Sequence, residues 1–293
     1  MKGSAGDETP AVRGKLPNSH PAGDAPLERA TRGYQLSLIL PAWNEAETIQ
    51  QAVQEADAAL SLLAADYEIV IVDDGSTDAT STIVASAAEG NRHVRLVRHK
   101  GNRGYGAALR SGFQVATFEL VAFTDADCQF NLAELERMLP LTRRHDVICG
   151  YRMDRQEGRR RRFFSWGYNI LVKLLLGSAL RDIDCALKIF HRDQLQAILP
   201  ECDNFFVNTE MLTRARLQGL SIVEVGVRHR RRAAGKSKVS LLDIPRTLRA
   251  LLPFWWAIRI RSRFSSSAHP QCPRPHSAGE PRSRGLPGNQ QGL

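Results

Sequence analysis

Apolar residues come in short blocks through the middle of the chain, and polar clusters follow most of them. Runs at Leu36–Leu40, Glu68–Val72, Val94–Val97, Leu120–Thr124 and Asp146–Cys149 read as buried strands. Helical spacing fills the gaps, over Glu45–Leu63, Asp78–Glu89, Gly104–Thr117 and Leu132–Thr142. Strand and helix alternate without an internal repeat. This predicts an α/β fold with a mainly parallel, Rossmann-like sheet and helices on both faces. In such a sheet, ligands bind beyond the carboxyl ends of the strands. Four polar motifs fall there: Pro41-Ala42-Trp43-Asn44-Glu45, Asp73-Asp74-Gly75-Ser76-Thr77-Asp78, Asn102-Arg103-Gly104-Tyr105-Gly106 and Asp125-Ala126-Asp127-Cys128-Gln129.

The last motif has the plainest chemistry. Two carboxylates and an amide oxygen at i, i+2 and i+4 suit a hard cation, Mg²⁺ or Mn²⁺, shared with a substrate's phosphates rather than caged by protein alone. A plain turn after a strand is the alternative, and the three neighbouring motifs argue against it. Asp73, ending a buried strand, can accept from a base N–H or a ribose hydroxyl. Asp74 is a second candidate beside it, and Asp78 reads mainly as a cap for the following helix. The glycines of Gly101–Gly106 lack the Lys-Ser/Thr ending of a phosphate loop. They suit either a close approach near a nucleotide or a turn leading into a helix.

Composition narrows the partners. The chain has 293 residues, 43% hydrophobic and 24% charged, and its formal net charge is +9. The charge clusters at Arg159–Arg162 and between Arg228 and Lys238, which favours phosphorylated or anionic-lipid partners. Without zinc-finger spacing or an RNA-recognition motif, nucleic acid is not expected. Residues 1–33 and 265–293, rich in Pro, Gly, Ser and Arg, read as disordered tails. The five cysteines have no CxxC spacing and read as reduced thiols. The N-terminus has no apolar signal region, so the body is expected in the cytosol.

PAWNE, VDDGSTD, NRGYGAA and DADCQ, in this order and spacing, resemble an inverting family 2 glycosyltransferase of the GT-A fold. The likeness covers residues 36–240 and is greatest to polyprenyl-phosphate sugar synthases such as dolichyl-phosphate mannose synthase. It implies a metal-dependent hexosyltransferase acting on a nucleoside-diphosphate sugar, GDP-mannose or UDP-glucose. It places Pro41, Asn44, Glu45, Asp73 and Asp74 on the nucleotide, and Asp125, Asp127 and Gln129 on the metal and diphosphate. Where those synthases continue with a Ser-His-Pro-Pro stretch, this chain has Cys128-Gln129-Phe130-Asn131-Leu132. The sugar and the acceptor therefore stay open.

The second half holds three further polar features, of which the first and the last match segments of the family in this resemblance. They are Asp182–Lys188, with Asp184 and Lys188; Glu210 at the start of a helix; and Arg232-Ala233-Ala234-Gly235-Lys236-Ser237-Lys238, whose Arg232 and Lys238 would close on phosphates. A lipid monophosphate is already anionic and needs positive charge to hold it, whereas a sugar hydroxyl needs a base. Arg152, the Arg159–Arg162 run and Arg232 suit the former, so attack by a polyprenyl-phosphate oxygen is the favoured reading. Asp127, Glu210 and Arg232 are then the catalytic candidates, with Glu210 orienting a partner or balancing an arginine. A hydroxyl acceptor, with Glu210 or Asp184 as base, is the second reading. A non-catalytic nucleotide-sugar-binding or adaptor protein is the third. Phe163–Leu180 reads as an interfacial helix rather than a span, because a span would split the site across the bilayer, and Leu241–Phe264 does so because Pro253 and the interspersed Arg246, Arg249, Arg259 and Arg261 disfavour a span. The expected arrangement is a domain over 34–240, an amphipathic helix over 241–264, and a peripheral position on the cytoplasmic face of a membrane.

Overall fold

The computed structural model describes residues 33–153, 159–177, 180–230, 249 and 251–258. Arg232 and Lys238, the tails apart from Gly33, and most of Leu241–Phe264 lie outside the described residues. The chain divides into two units, 1–250 and 251–293. In the second, residues 251–258 are helical, and the Trp255 and Trp256 ring centroids lie 6.2 Å apart.

The first unit contains β1 (Gln35–Ala42), α1 (Ile49–Leu63), β2 (Asp66–Asp73), α2 (Thr80–Gly90), β3 (Val94–Arg98), α3 (Tyr105–Val115), β4 (Leu120–Phe123), α4 (Leu135–Met138), β5 (Val147–Arg152), α5 (Arg159–Leu176), β6 (Lys188–His191), α6 (Arg192–Ala197), α7 (Val207–Leu217) and β7 (Ile222–Val227). The seven strands form one sheet in the order β3-β2-β1-β4-β6-β5-β7. β6 runs antiparallel to β4 and β5, and the other pairings are parallel. The five strands read from the sequence are all present. β6 and β7 are additional, and β6 is the one reversed strand of the sheet.

Seven of the eight residues in β1, and likewise in β2, are buried. Such near-continuous apolar runs are what a sheet covered on both faces requires. The connections β1-α1-β2-α2-β3 step outward in one direction, and α1 packs against α2. The chain then returns through α3 to β4, on the far side of β1, so right-handed crossovers put α3 on the opposite face. There Gly112 lets α3 sit against β1 and β2, since a Cβ would run into Ile39 and press on Val72. Phe113, Phe123 and Phe190 join α3 to β4 and β6, with centroids 5.7 to 6.5 Å apart.

Three boundaries shift for local reasons. The helix expected from Glu45 begins at Ile49, because Asn44 (φ 51°) turns the chain first. The stretch Leu132–Arg143 is α4 flanked by two 3₁₀ turns, and Pro140, which lacks an N–H, opens the second turn. α5 stops at Leu176, where Gly177 takes a left-handed φ of 66°.

At the edge opposite the polar loops, the buried Glu68 carboxylate ties three segments together. It accepts from Ser37 Oγ (2.6 Å), Thr117 N (2.7 Å) and Thr117 Oγ1 (2.7 Å), and it pairs with Arg95. Burial acts to raise its pKa. The Ser37, Thr117 and Arg95 hydrogen bonds outweigh this and hold it below the ordinary value of 4.5. A pKa lowered by folding gives stability that is complete above the unfolded value and is lost as pH falls through the folded one. Urea midpoints measured at roughly pH 6 and pH 3 should therefore fall more steeply for the wild type than for Glu68→Gln. Equal slopes would remove Glu68 from the acid limb.

Candidate active site

The sheet register gathers the predicted motifs. Ala42, Asp73 and Arg98 pair in a row, as do Ile39, Phe123, Lys188 and Cys149, and Arg152 pairs with Val227. The loops leaving β1, β2, β3, β4, β5 and β7, and the one approaching β6, therefore lie along one edge. Pro41 fits there because β4 has ended by that level of β1. Thr124 N donates to Ile39 O at 3.1 Å, and the missing Pro41 N–H falls on the same side, beyond the end of the β1–β4 ladder.

The first two loops are knitted together. Asn44 Oδ1 accepts from Thr77 N (2.8 Å), and Asn44 N donates to Ser76 Oγ (2.9 Å). Glu45 N donates to Thr80 Oγ1 at 2.8 Å. Asp78 accepts from Thr80 N (2.9 Å) at the start of α2, the capping contact expected of it, and from Ala46 N (3.1 Å). Asp73 is fully buried, and its Oδ1 accepts from Ser76 N at 2.9 Å. Its Oδ2 accepts no hydrogen bond among the described residues, with Arg98 Nε 3.6 Å away. A buried carboxylate oxygen left this way is costly, and a ligand N–H or hydroxyl would satisfy it.

Asp74 has a different position. Its Oδ1 lies 2.6 Å from His99 Nδ1 and accepts from Arg103 N at 2.9 Å, while its Oδ2 accepts from Gly104 N at 2.8 Å. His99 Nε2 in turn lies 2.9 Å from Ser111 Oγ on α3. Asp74, read from sequence as a nucleotide contact, here shapes the glycine loop. The loop's close approach is to protein. A Cβ on Gly104 (φ 100°) would run into the Asp203 carbonyl oxygen, and Gly106 N donates to that oxygen at 2.9 Å.

The Asp125–Gln129 segment leaves β4 as a turn. Cys128 takes φ 58°, a strained value for a non-glycine residue, with its Sγ 3.8 Å from Thr48 O. Burial, and then the charges of Glu55 and Asp127, push the Cys128 thiol up to about 11. Asp127 is buried and accepts from Gln129 N at 3.1 Å, and Asp125 accepts from Tyr105 Oη at 2.8 Å. Burial first, then Asp125, raises the Tyr105 pKa well above its ordinary value, so the phenol stays protonated and donates. Among the described residues, no group of three or more His, Cys, Asp or Glu side chains is placed to hold a cation. The donor set fits Mg²⁺ or Mn²⁺ only with oxygens contributed by a ligand such as a diphosphate.

The chain leading to the basic segment returns to this turn. Phe130 bridges His229, Arg230 N donates to Gln129 O (2.7 Å), and Gln129 Nε2 donates to Arg230 O (3.3 Å). The sequence put Asp125–Gln129 and Arg228–Lys238 in one site but offered no signal for this direct pairing of residues a hundred positions apart.

The residues that the sequence assigned to the acceptor side are fastened internally. Arg152 grips the buried Asp182 through Nε (2.7 Å) and Nη2 (2.9 Å). Lys188, expected on a phosphate, is fully buried. Its ammonium donates to Ile183 O (3.2 Å), Asn208 Oδ1 (3.1 Å) and Cys185 O, because β6 carries it beneath the 182–187 loop that holds Asp184. Glu210 is buried at the start of α7. It accepts from Glu201 N (3.0 Å), Cys202 N (2.9 Å) and Arg214 Nη2 (2.7 Å), the arginine-balancing role expected of it. Residues 200–206 were not singled out from the sequence, yet they form the wall facing the glycine loop. Arg110 binds Pro200 O, Glu201 O and Asp203 there.

Asp74→Ala should leave the amides of Arg103 and Gly104 without their acceptor, at a cost on the order of 1–3 kcal/mol for each donor left unsatisfied. Hydrogen exchange at those two amides should accelerate far more than in the β1 and β2 cores. Unchanged protection would show that the loop holds its shape without Asp74.

The family description "Glycosyl transferase family 2" matches residues 37–199. Glycosyltransferase AglD of Haloferax volcanii is 32% identical over 251 residues, covering 82% of this chain and 40% of that protein. The undecaprenyl-phosphate 4-deoxy-4-formamido-L-arabinose transferase of Sodalis glossinidius is 32% identical over 214 residues, covering 72% of this chain and 64% of the relative. The chain thus spans less than two thirds of the length of either. Among solved structures, glucosyl-3-phosphoglycerate synthase of Mycobacterium tuberculosis with Mn²⁺, UDP and glucosyl-3-phosphoglycerate superposes with a TM-score of 0.62 at 19% identity, over 83% of this chain and 86% of that one. The same enzyme with Mg²⁺ and UDP gives 0.60 at 19% identity, over 79% and 81%. This likeness establishes the α/β architecture as GT-A. With a family match over more than half its length, the chain belongs to glycosyl transferase family 2.

Proposed function

We propose that this protein is an inverting glycosyltransferase that moves a sugar from a nucleoside-diphosphate sugar to a polyprenyl phosphate. The observation that carries the reading is the convergence on one sheet edge of a buried, under-satisfied Asp73, the Asp125–Asp127 pair, and the start of the basic 228–238 segment hydrogen-bonded to that turn. Two relatives support it: a glycosyltransferase and an undecaprenyl-phosphate sugar transferase. The Mn²⁺, Mg²⁺ and UDP of the mycobacterial synthase complexes support the donor assignment.

In this reading Asp73 receives a donor from the base or ribose, and Pro41, Asn44 and Glu45 form the adjoining wall. Asp125 and Asp127, with Gln129 beside them, would hold Mg²⁺ or Mn²⁺, whose charge stabilises the departing diphosphate. The acceptor phosphate is its own nucleophile and attacks the face of the sugar opposite the leaving group. Arg232 and Lys238 hold that phosphate. Arg152 and Lys188 keep the 182–187 loop, with Asp184, in shape around it. Glu210 argues for a phosphate acceptor over a hydroxyl one, because its carboxylate oxygens are taken up within the protein by the Glu201 and Cys202 amides and Arg214. On α5, exposed Ile170 and Leu174 follow the Arg159–Arg162 run, a combination suited to an anionic membrane surface at its cytoplasmic face. No helix among the described residues is long and apolar enough to cross a membrane.

Purified protein should be incubated with undecaprenyl phosphate, Mn²⁺ and a panel of nucleotide sugars that includes GDP-mannose and UDP-glucose. Butanol-extractable labelled sugar is expected from at least one donor. Asp127→Ala should lower that transfer by about 10²–10³-fold, the usual loss on removing a group that stabilises developing charge. Absence of lipid-linked sugar from every donor, with transfer to a saccharide hydroxyl instead, would move the protein to the second acceptor class.

A further inference from the structure

The Asp125 carboxylate lies on the loop that follows β4 and is only partly buried. One group that reaches it is the Tyr105 hydroxyl, at 2.8 Å. Tyr105 opens α3, and its backbone position follows from the Asp74 carboxylate gripping Gly104 N. Its ring stacks on Phe205, with centroids 5.3 Å apart and planes 25° from parallel. Phe205 belongs to the 200–206 wall, which Glu210 holds through the Glu201 and Cys202 amides and which meets Gly106 N through Asp203 O. Tyr105 therefore touches the cation-side carboxylate with one end and the opposing wall with its ring.

We infer that Tyr105 is a positioning residue that sets the Asp125 carboxylate for a divalent cation and makes cation affinity depend on the Phe205 wall. The inference rests on the reading of Asp125 and Asp127 as the cation's protein ligands. A phenol suits the task. It donates one hydrogen bond and leaves the carboxylate further lone pairs for a cation. Being uncharged, it adds no repulsion toward a cation, as a lysine or arginine at this position would. Partners of this kind around a ligating side chain typically change metal affinity by 10- to 100-fold. The ordinary alternative is a half-buried tyrosine that has found an acceptor for its hydroxyl. That role would affect folding and leave cation binding alone.

The test is a Mn²⁺ titration of the full chain, followed by the electron paramagnetic resonance signal of free Mn²⁺, alone and with UDP or GDP. Wild type, Tyr105→Phe, Phe205→Leu and Asp125→Ala are compared. Tyr105→Phe keeps the ring on Phe205 and should weaken Mn²⁺ binding by about 10- to 100-fold, with a cooperative unfolding transition retained. Phe205→Leu, which keeps the hydroxyl and loosens the ring, should weaken binding by a smaller factor. Asp125→Ala should abolish it. If Asp125→Ala loses Mn²⁺ while Tyr105→Phe binds like the wild type, the positioning role is overturned and the cation reading stands. If Phe205→Leu alone binds like the wild type, the dependence on the wall is overturned. If the wild type binds no Mn²⁺ beyond what the nucleotide takes up in solution, the cation reading and the positioning role both fall.

Discussion

The carboxylate of Asp74 is the fastening on which the shape of the site depends. It sits at the end of β2 and holds His99 after β3, together with the amides of Arg103 and Gly104 before α3. Hydrogen bonds to a charged group contribute roughly 1.5–3 kcal/mol each, against about 1–2 kcal/mol for ordering the backbone of one residue. The two contacts to Arg103 N and Gly104 N therefore offset much of the cost of ordering the residues that carry them, in a loop that has few apolar side chains to bury. The ordered loop then sets the geometry around it. Gly104 and Gly106 come into backbone contact with Asp203, and Tyr105 is delivered to Asp125.

The two halves of the site are built differently. The half assigned to the donor in the proposed reaction follows from parallel winding, in which β1, β2, β3 and β4 all end on one edge and each loop carries its motif there. The acceptor half depends on the reversal at β6. Because β6 runs the other way, it begins at the edge where its neighbours end, and its first residue, Lys188, enters the site from below. A fully buried ammonium is tolerable only when donor positions are filled, and Ile183 O, Cys185 O and Asn208 Oδ1 do this. The same logic explains the buried Arg152–Asp182 pair and the ring of donors around Glu210. These charges are structural supports, each held by partners within the protein. In the proposed reaction the groups that meet the acceptor are Arg232 and Lys238.

Much of the donor half was legible because its signals are local. An apolar run of five followed by Asp-Asp-Gly or Asp-Ala-Asp specifies a strand and the turn beyond it within one stretch of chain. Asp73, Asp78 and the Asp125–Gln129 turn could be placed that way. Glu210 was legible in kind, as a partner to arginine, though its hold on residues 201 and 202 was not. β6 and β7 escaped notice because four- and six-residue strands beside short helices leave too little periodicity to separate strand from turn. The surroundings of Asp73 and Asp74 were not legible, because adjacent aspartates look alike in sequence and only the fold tells them apart. Asp74 lies against His99 Nδ1 and the amides of Arg103 and Gly104, and Asp73 keeps an oxygen without a hydrogen bond among the described residues.

By itself the sequence determined the alternation of elements, the edge on which chemistry gathers and the family to which the motifs belong. Each of these depends on the order and spacing of residues along the chain. Only the tertiary structure decided that Asp74 braces a loop, that Lys188 is internal, that Tyr105 links Asp125 to the Phe205 wall, and that Gln129 pairs with Arg230. The reason is the same in each case. A hydrogen bond between residues far apart in sequence leaves no periodic trace, and it comes into being only once packing has brought its two ends within about three ångströms.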